Sequence, residues 1–243
     1  FFEMGLLKED DWKGFWIGSH EKNKSPLFRK TFHPQKPIKR ARAYICGLGY
    51  YEFYINGKKV GDHVLSPAWT DYDDREIKDL LYPFDDQTTK RVPYLTYDIT
   101  EYIFEKENAL GVMLGNGWYN QRERNVEGKL WYGYPKFILQ VNIKYEDGTQ
   151  DSIVSDDSWV TCAGPIIFNN IYYGEVYDAN LEVDKWNEIG CKYEGWKKAE
   201  IVKAPSGRMV SQVSPPDRVI ASIKPVKVTN PKRGVYVFDM GQN

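Results

Sequence analysis

The sequence is poor in the groups that most catalytic and cofactor chemistry needs. Its three histidines, His20, His33 and His63, form no pair at a metal-ligand or catalytic spacing, which argues against a Ser-His-Asp hydrolase and a histidine-rich metal site. There is no G-x-S-x-G elbow. The "GLG" at 47–49 runs into strand-like sequence rather than a helix whose amides could cradle phosphate. The three cysteines, Cys46, Cys162 and Cys191, are odd in number and lack CxxC spacing. They read as small apolar residues with room for one disulfide at most, and they leave periplasmic, secreted and cytoplasmic placement all open. No apolar run approaches the ~20 residues that cross a bilayer as a helix. The charge is almost balanced, 33 basic against 34 acidic side chains, with no basic stripe. Nucleic acid and membrane surfaces therefore drop out as partners.

Helical periodicity is scarce as well, and strands fill the space it leaves. "ARAYICGLGYYEFYINGKKVGDHVL" holds two β-rich runs around Asn56-Gly57, residues that both accept positive φ and so mark a hairpin. "YPKFILQVNIKYEDGTQDSIV" repeats the device at Asp147-Gly148. Within it, Ile138, Gln140 and Asn142 alternate with Leu139, Val141 and Ile143, which predicts one wet and one dry face. Turn signals recur every ten or so residues, the rhythm of a sandwich rather than of βαβ units. Helix is expected only as single turns, one over residues 100–104 capped by Asp98 and one at Asp184–Asn187.

These runs predict an all-β chain dominated by a jelly-roll-like β-sandwich, with partial β segments at both ends. Composition divides it into residues 1–24, a packed tail and a polar linker; 25–203, the sandwich; and 204–243, a Pro/Ser/Gly-rich connector that opens a further β unit. The chain begins Phe1-Phe2-Glu3 and stops within "VYVFDMGQN", inside a fresh strand. It is expected to be a piece of something longer, with an unpaired edge near its C-terminal end.

What the sequence has in quantity is aromatic side chains: 8 Trp, 18 Tyr and 11 Phe. Many fall in loops beside amides, acids and glycines: Trp69-Thr70-Asp71-Tyr72, Asn116-Gly117-Trp118-Tyr119, Trp131-Tyr132-Gly133-Tyr134 and Tyr172-Tyr173-Gly174-Glu175. Ring faces stack on sugar C–H faces while Asn, Asp and Glu meet hydroxyls at the ring edge. The same residues also suit loops anchored into a sandwich core, and the pattern supports both readings. Candidate ligand-binding residues are Trp69, Asp71, Tyr72, Asn116, Trp118, Tyr119, Trp131 and Glu175. The acidic run Asp71, Asp73, Asp74 and Glu76 lacks the glycine and closing glutamate of an EF-hand and suits a solvated turn. Glu175 and Asp178, three apart on a strand, point to opposite faces and make a poor acid/base pair. "GNGWY" at 115–119 predicts a strand-end turn. In it Asn116 bonds the "WTDYD" loop and Trp118-Tyr119 anchor or line the edge of the sandwich.

The same stretches carry a resemblance. "ARAYICGLGYYEFYINGKKVGDHVLSPAWTDYD", "YDITEYI…ENALGVMLGNGWY" and "YYGEVYDANLE" closely resemble the N-terminal β-sandwich module of bacterial α-L-rhamnosidases. "FEMGLLKEDDWKGFWIG" is similar to the tail of a preceding fibronectin-like domain, and "YVFDMGQN" to the start of the next module. The resemblance implies a role in polysaccharide degradation. Inverting hydrolysis of terminal α-L-rhamnose would belong to an (α/α)6 barrel downstream, with no catalytic residue in this chain. It implies rhamnose-containing glycans and the parent's own catalytic domain as partners. No cofactor is required. Some related modules are lectin-like rhamnose binders ordered by calcium, for which Asp71 and Asn116 would be the ligand candidates here. The family often reads "YDAR" where this chain has Tyr177-Asp178-Ala179-Asn180. Alternatively, the module only buttresses the barrel.

Overall fold

A computed structural model describes residues 5–20, 22, 24–74, 89–122, 131–192 and 194–241. Glu76 of the acidic run and the last two residues of "DMGQN" lie outside them. Two sheets dominate. One has seven strands, ordered Glu200–Ile201, Ile17–Gly18, Lys136–Tyr145, Ile38–Leu48, Arg91–Asp98 and Arg208–Ser211, with Gln150–Val154 also paired to Lys136–Tyr145. The other has six, ordered Lys197–Lys198, Val160–Ala163, Pro26–Phe32, Asn108–Gly115, Tyr50–Ile55 and Lys58–Lys59. Pairing within both is antiparallel except where Arg208–Ser211 runs parallel to Arg91–Tyr94.

The sheets face each other across one core. Ala43, Ile45, Leu139 and Val141 come from the first, and Phe28, Phe53, Leu110 and Val112 from the second. Phe28 meets Phe137 edge-on across the gap at 5.0 Å, and Phe137 meets Trp159 at 5.3 Å. Burying each such side chain contributes roughly 1.5–3 kcal/mol before the entropy of ordering it is charged. The chain is a β-sandwich, as its turn rhythm predicts.

The first sheet is covered on its other face too. Tyr44, Cys46, Val92, Tyr94 and Ile138 pack there with Trp16, Tyr72 and Tyr119 in a second cluster. A sheet buried on both faces needs no alternation, which accounts for the unbroken run Tyr44-Ile45-Cys46. It also corrects the predicted wet face: Gln140 is 1% exposed. Its side-chain oxygen accepts from the Lys13 amide at 2.7 Å and its nitrogen donates to the Asp11 carbonyl at 3.1 Å. The N-terminal segment lies over that face and replaces water. Ile17–Gly18 sits between Lys136–Phe137 and Glu200–Ile201, so the sheet runs across position 24, and Arg208–Ser211 carries it past position 203.

Local chemistry follows the turn signals closely. Asn56 and Gly57 both take positive φ, 51° and 81°, and close the hairpin between Tyr50–Ile55 and Lys58–Lys59. Gly148 does the same at 85° between Lys136–Tyr145 and Gln150–Val154. Thr100–Tyr102 is one 3₁₀ turn, and the Asp98 carboxylate accepts from the Thr100 amide at 3.1 Å. The second predicted helical turn is displaced: residues 184–187 form a plain turn and the 3₁₀ turn lies at Ala179–Leu181. Buried Arg29 pins that region by donating to the carbonyls of Trp186 and Glu188 at 3.1 and 2.6 Å. The three cysteines are free thiols, Cys46 in the second cluster. Near the C-terminal end, Lys227–Lys232 and Val235–Asp239 pair, among the described residues, only with each other and are exposed throughout.

Candidate functional site

The turn at Gly115–Asn120 organises the richest end of the sandwich. It follows the strand Asn108–Gly115, and Gly117 takes a φ of 47°. It presses against Gly49, where an added Cβ would lie 1.9 Å from the Asn116 carbonyl oxygen. Two backbones approach there with no room for a side chain. Asn116 does not bond the "WTDYD" loop. Its amide donates to the Asn169 side chain at 2.7 Å, its side-chain nitrogen to the Asn169 carbonyl at 2.8 Å, and its side-chain oxygen accepts from Asn120 at 2.8 Å. The turn is therefore sewn to the hairpin Ile166–Tyr177 rather than to residues 69–73.

Successive residues of the turn then part company. Tyr119 points inward and is fully buried, stacking on Tyr132 at 5.6 Å and 12°. Tyr72, 1% exposed, meets both edge-on at 5.7 and 5.4 Å. Burial is the main reason that the phenols of Tyr72 and Tyr119 titrate far above the ordinary tyrosine range, with Asp73 adding to it for Tyr119. Tyr72 and Tyr119, expected to contact ligand, form core. Their rings have no solvent-facing surface to offer.

Trp118 points the other way. It lies between Trp69, at 5.4 Å, and Tyr172, edge-on at 5.7 Å. Trp69 is 61% exposed and Tyr172 41%. The Tyr50 hydroxyl takes a hydrogen bond from Trp118; burial first, then the charge of Asp217, raises its pKa against that bond. Beside this row opens a cleft of 370 Å³ lined by Tyr50, Glu52, Leu65, Gly117, Asn169 and Glu175, among others. Glu52 is occupied by Lys59, at 2.6 Å, and by the Tyr54 hydroxyl. Glu175 is exposed, as is its neighbour Tyr173. The structure thus gathers Trp69, Trp118, Asn116 and Glu175 at one end.

Trp131 belongs to a neighbouring cluster. Its indole N–H donates to Asn120 at 2.7 Å, and the Arg122 guanidinium sits 4.6 Å over both its ring and that of Tyr134. Asp71 turns inward to Lys90 at 2.5 Å and Tyr132 at 2.6 Å. These bonds test the calcium candidates. One Asp71 oxygen faces an ammonium and the other a hydroxyl, while the Asn116 oxygen is held by Asn120. A calcium ion wants 6–8 oxygens free to turn toward it, and Asp71 and Asn116 do not fit one. Among the described residues no group of three or more His, Cys, Asp or Glu could hold a metal. Tyr50, Leu65 and Asn169 went unflagged in the sequence. For Tyr50 the signal was there: alternation in "YYEFYI" turns Tyr50, Glu52 and Tyr54 outward from buried Tyr51, Phe53 and Ile55.

Comparison with known proteins agrees with this architecture. The family model described as the alpha-L-rhamnosidase N-terminal domain matches residues 36–82 and 77–221. An alpha-L-rhamnosidase of Formosa agariphila is 34% identical across 100% of this chain, which spans 27% of that protein. The structure of the alpha-L-rhamnosidase from Dictyoglumus thermophilum superposes with a TM-score of 0.84 at 40% identity, covering 100% of this chain and 27% of that one. The Streptomyces avermitilis alpha-L-rhamnosidase complexed with L-rhamnose gives 0.77 at 34% identity, covering 90% of this chain and 20% of that one. The chain thus spans about a quarter of the length of the curated relatives it matches.

Proposed function

The chain belongs to the α-L-rhamnosidase N-terminal domain family, and from that premise we propose that it is the non-catalytic, glycan-recognising module of a longer α-L-rhamnosidase. Hydrolysis of terminal α-L-rhamnose is the work of sequence beyond these residues, and this chain holds the glycan near it. The observation that carries the reading is the row of half-buried Trp118 between exposed Trp69 and Tyr172, beside a cleft of 370 Å³. A cleft of that size admits a monosaccharide or the end of a chain. Rings beside it offer flat apolar faces to sugar C–H groups, and the Glu175 carboxylate and Tyr50 hydroxyl, which line it, meet hydroxyls. Calcium is unnecessary to this reading, since the groups that would bind it are spent on internal bonds.

The second reading, a scaffold for the catalytic domain, draws on those same internal bonds. Every amide of the Asn116–Asn120–Asn169 network serves the fold. Titration of L-rhamnose followed by tryptophan fluorescence, once with calcium and once with EDTA, separates the two. Recognition as argued here gives saturable binding that survives EDTA. Binding abolished by EDTA would return calcium to the site, and silence up to tens of millimolar sugar would leave the scaffold.

A further inference from the structure

Between the strand Arg208–Ser211, which joins the first sheet, and the exposed C-terminal hairpin, the connector is tied back once more. Asp217–Arg218 pairs with His63–Val64, placing Arg218 directly opposite His63. The His63 side chain is 17% exposed. Its Nδ1 lies 3.2 Å from the Tyr97 hydroxyl, which lies 3.1 Å from the buried Tyr51 hydroxyl. Its Nε2 lies 3.2 Å from Arg218 Nη2, and Arg218 Nε donates to Asp62 at 2.9 Å. A guanidinium only donates, so Nε2 must accept. It can accept only while the ring is neutral with its proton on Nδ1. That proton then points to Tyr97, and Tyr97 passes its own to Tyr51. Adding a proton at Nε2 removes the acceptor and sets an imidazolium against the guanidinium.

We propose that His63 is a pH-operated latch for the connector: the neutral ring holds Arg218, and the protonated ring lets residues 217–218 leave the sandwich. The surrounding charges set its direction. Burial and then Arg218 hold the pKa of His63 below its ordinary value, Lys59 adds to them, and only Asp62 opposes. Asp62 is weakly placed to do so, at 3.8 Å from Nε2 and 71% exposed. Tyr97 and Tyr51 carry no charge near neutral pH, because burial raises both phenols. The latched form therefore binds fewer protons than the open one. It is fully populated above the ordinary histidine pKa of about 6.5 and is lost as pH falls through the lower value of the latched state. Release also removes the Asp217 charge from beside Tyr50, a lining residue of the cleft. The latch itself does not depend on what that cleft binds.

Backbone amide exchange at residues 217 and 218 of the 243-residue chain tests the latch, measured from pH 7.5 to 5 and corrected for intrinsic rates. Protection should fall as pH drops from the ordinary histidine value of about 6.5 toward the lower midpoint of His63, read from its ring resonances, by at most about tenfold per pH unit, and level off below that midpoint. In His63→Gln the amide oxygen still accepts from Arg218 and nothing titrates, so protection should be flat with pH. Equal protection at both ends of the range in the unaltered chain, or the same fall in His63→Gln, overturns the latch. Should His63→Gln fail to fold, Arg218→Gln decides: removing the facing cation must raise the midpoint of His63, and an unmoved midpoint overturns the proposal.

Discussion

Two triads of aromatic rings sit back to back at one end of this sandwich, and neighbouring residues of one turn supply a member to each. Tyr119 joins Tyr72 and Tyr132; Trp118 joins Trp69 and Tyr172. Ring separations are nearly the same, 5.4–5.7 Å in both. Exposure is not: Tyr72 and Tyr119 are at 1% and 0%, while Trp69 and Tyr172 are at 61% and 41%. Contact geometry alone therefore does not tell an anchor from a binding surface. What separates the triads is what their rings face: the outer face of a sheet for one, and solvent for the other. The inner triad holds the turn so that the outer one has a fixed shape.

The largest expected difference between the triads is in stability. Tyr119→Ala removes a fully buried ring from between two others and should cost about 3–5 kcal/mol, the usual range for deleting a core aromatic. Trp118→Ala, partly exposed, should cost less than half of that. Urea denaturation of both variants checks the comparison, and equal losses would mean that the outer row is core as well. The inner triad should also resist alkali. Tyr72 and Tyr119 titrate far above their unfolded value of 10.0, chiefly because they are buried. Their contribution is therefore complete below about pH 10 and is lost as pH rises from there toward the folded values. Absorbance at 295 nm should show exposed tyrosines ionising first and the buried pair only as the chain unfolds. In Tyr119→Ala the unfolding step should come at lower pH.

Next in size is the effect on sugar binding. If the outer row stacks on a glycan, Trp118→Ala should weaken L-rhamnose binding about 5- to 30-fold, the equivalent of roughly 1–2 kcal/mol for a stacking ring. Tyr119→Phe should leave the affinity unchanged. Fluorescence from Trp69 still reports binding in the first variant. Unaltered affinity in Trp118→Ala would move the sugar away from this row and favour the scaffold reading.

The triads also show where the sequence is legible. Both hairpins could be placed from Asn56-Gly57 and Asp147-Gly148, because positive φ is a property of the residue and its successor. The bond from the Thr100 amide to Asp98 is equally local, although the cap position itself falls to Ile99. The two-sheet architecture followed from turn spacing. The division of Trp118 from Tyr119 did not, because loop residues have no period and their sidedness depends on which loops adjoin. Asn116 illustrates this: two polar loops could have taken its bonds, and the strand order chose the hairpin Ile166–Tyr177. Gln140 was expected wet because alternation shows that a face is polar, but not that a distant polar segment will cover it. That segment is expected to pack, but the face it covers is not legible for a related reason: its strand, Ile17–Gly18, is two residues long, too short for any period.

The smallest expected effect tests the inner triad most finely. The Tyr119 hydroxyl is buried and has no hydrogen-bond partner among the described residues. A buried hydroxyl without a partner has given up its bonds to water for nothing, at a cost of roughly 1–3 kcal/mol. Phenylalanine keeps the ring, and with it the stacking on Tyr132 and the contact with Tyr72. Tyr119→Phe should therefore leave stability unchanged or raise it by up to about 1 kcal/mol, part of the hydroxyl's cost being offset by a small void where the oxygen stood. A shift of the urea midpoint upward at constant slope is the signature. A loss greater than about 1 kcal/mol would show that the oxygen is bonded after all. The inner triad would then be a polar site closed over a water molecule, and its difference from the outer row would be one of access rather than of kind.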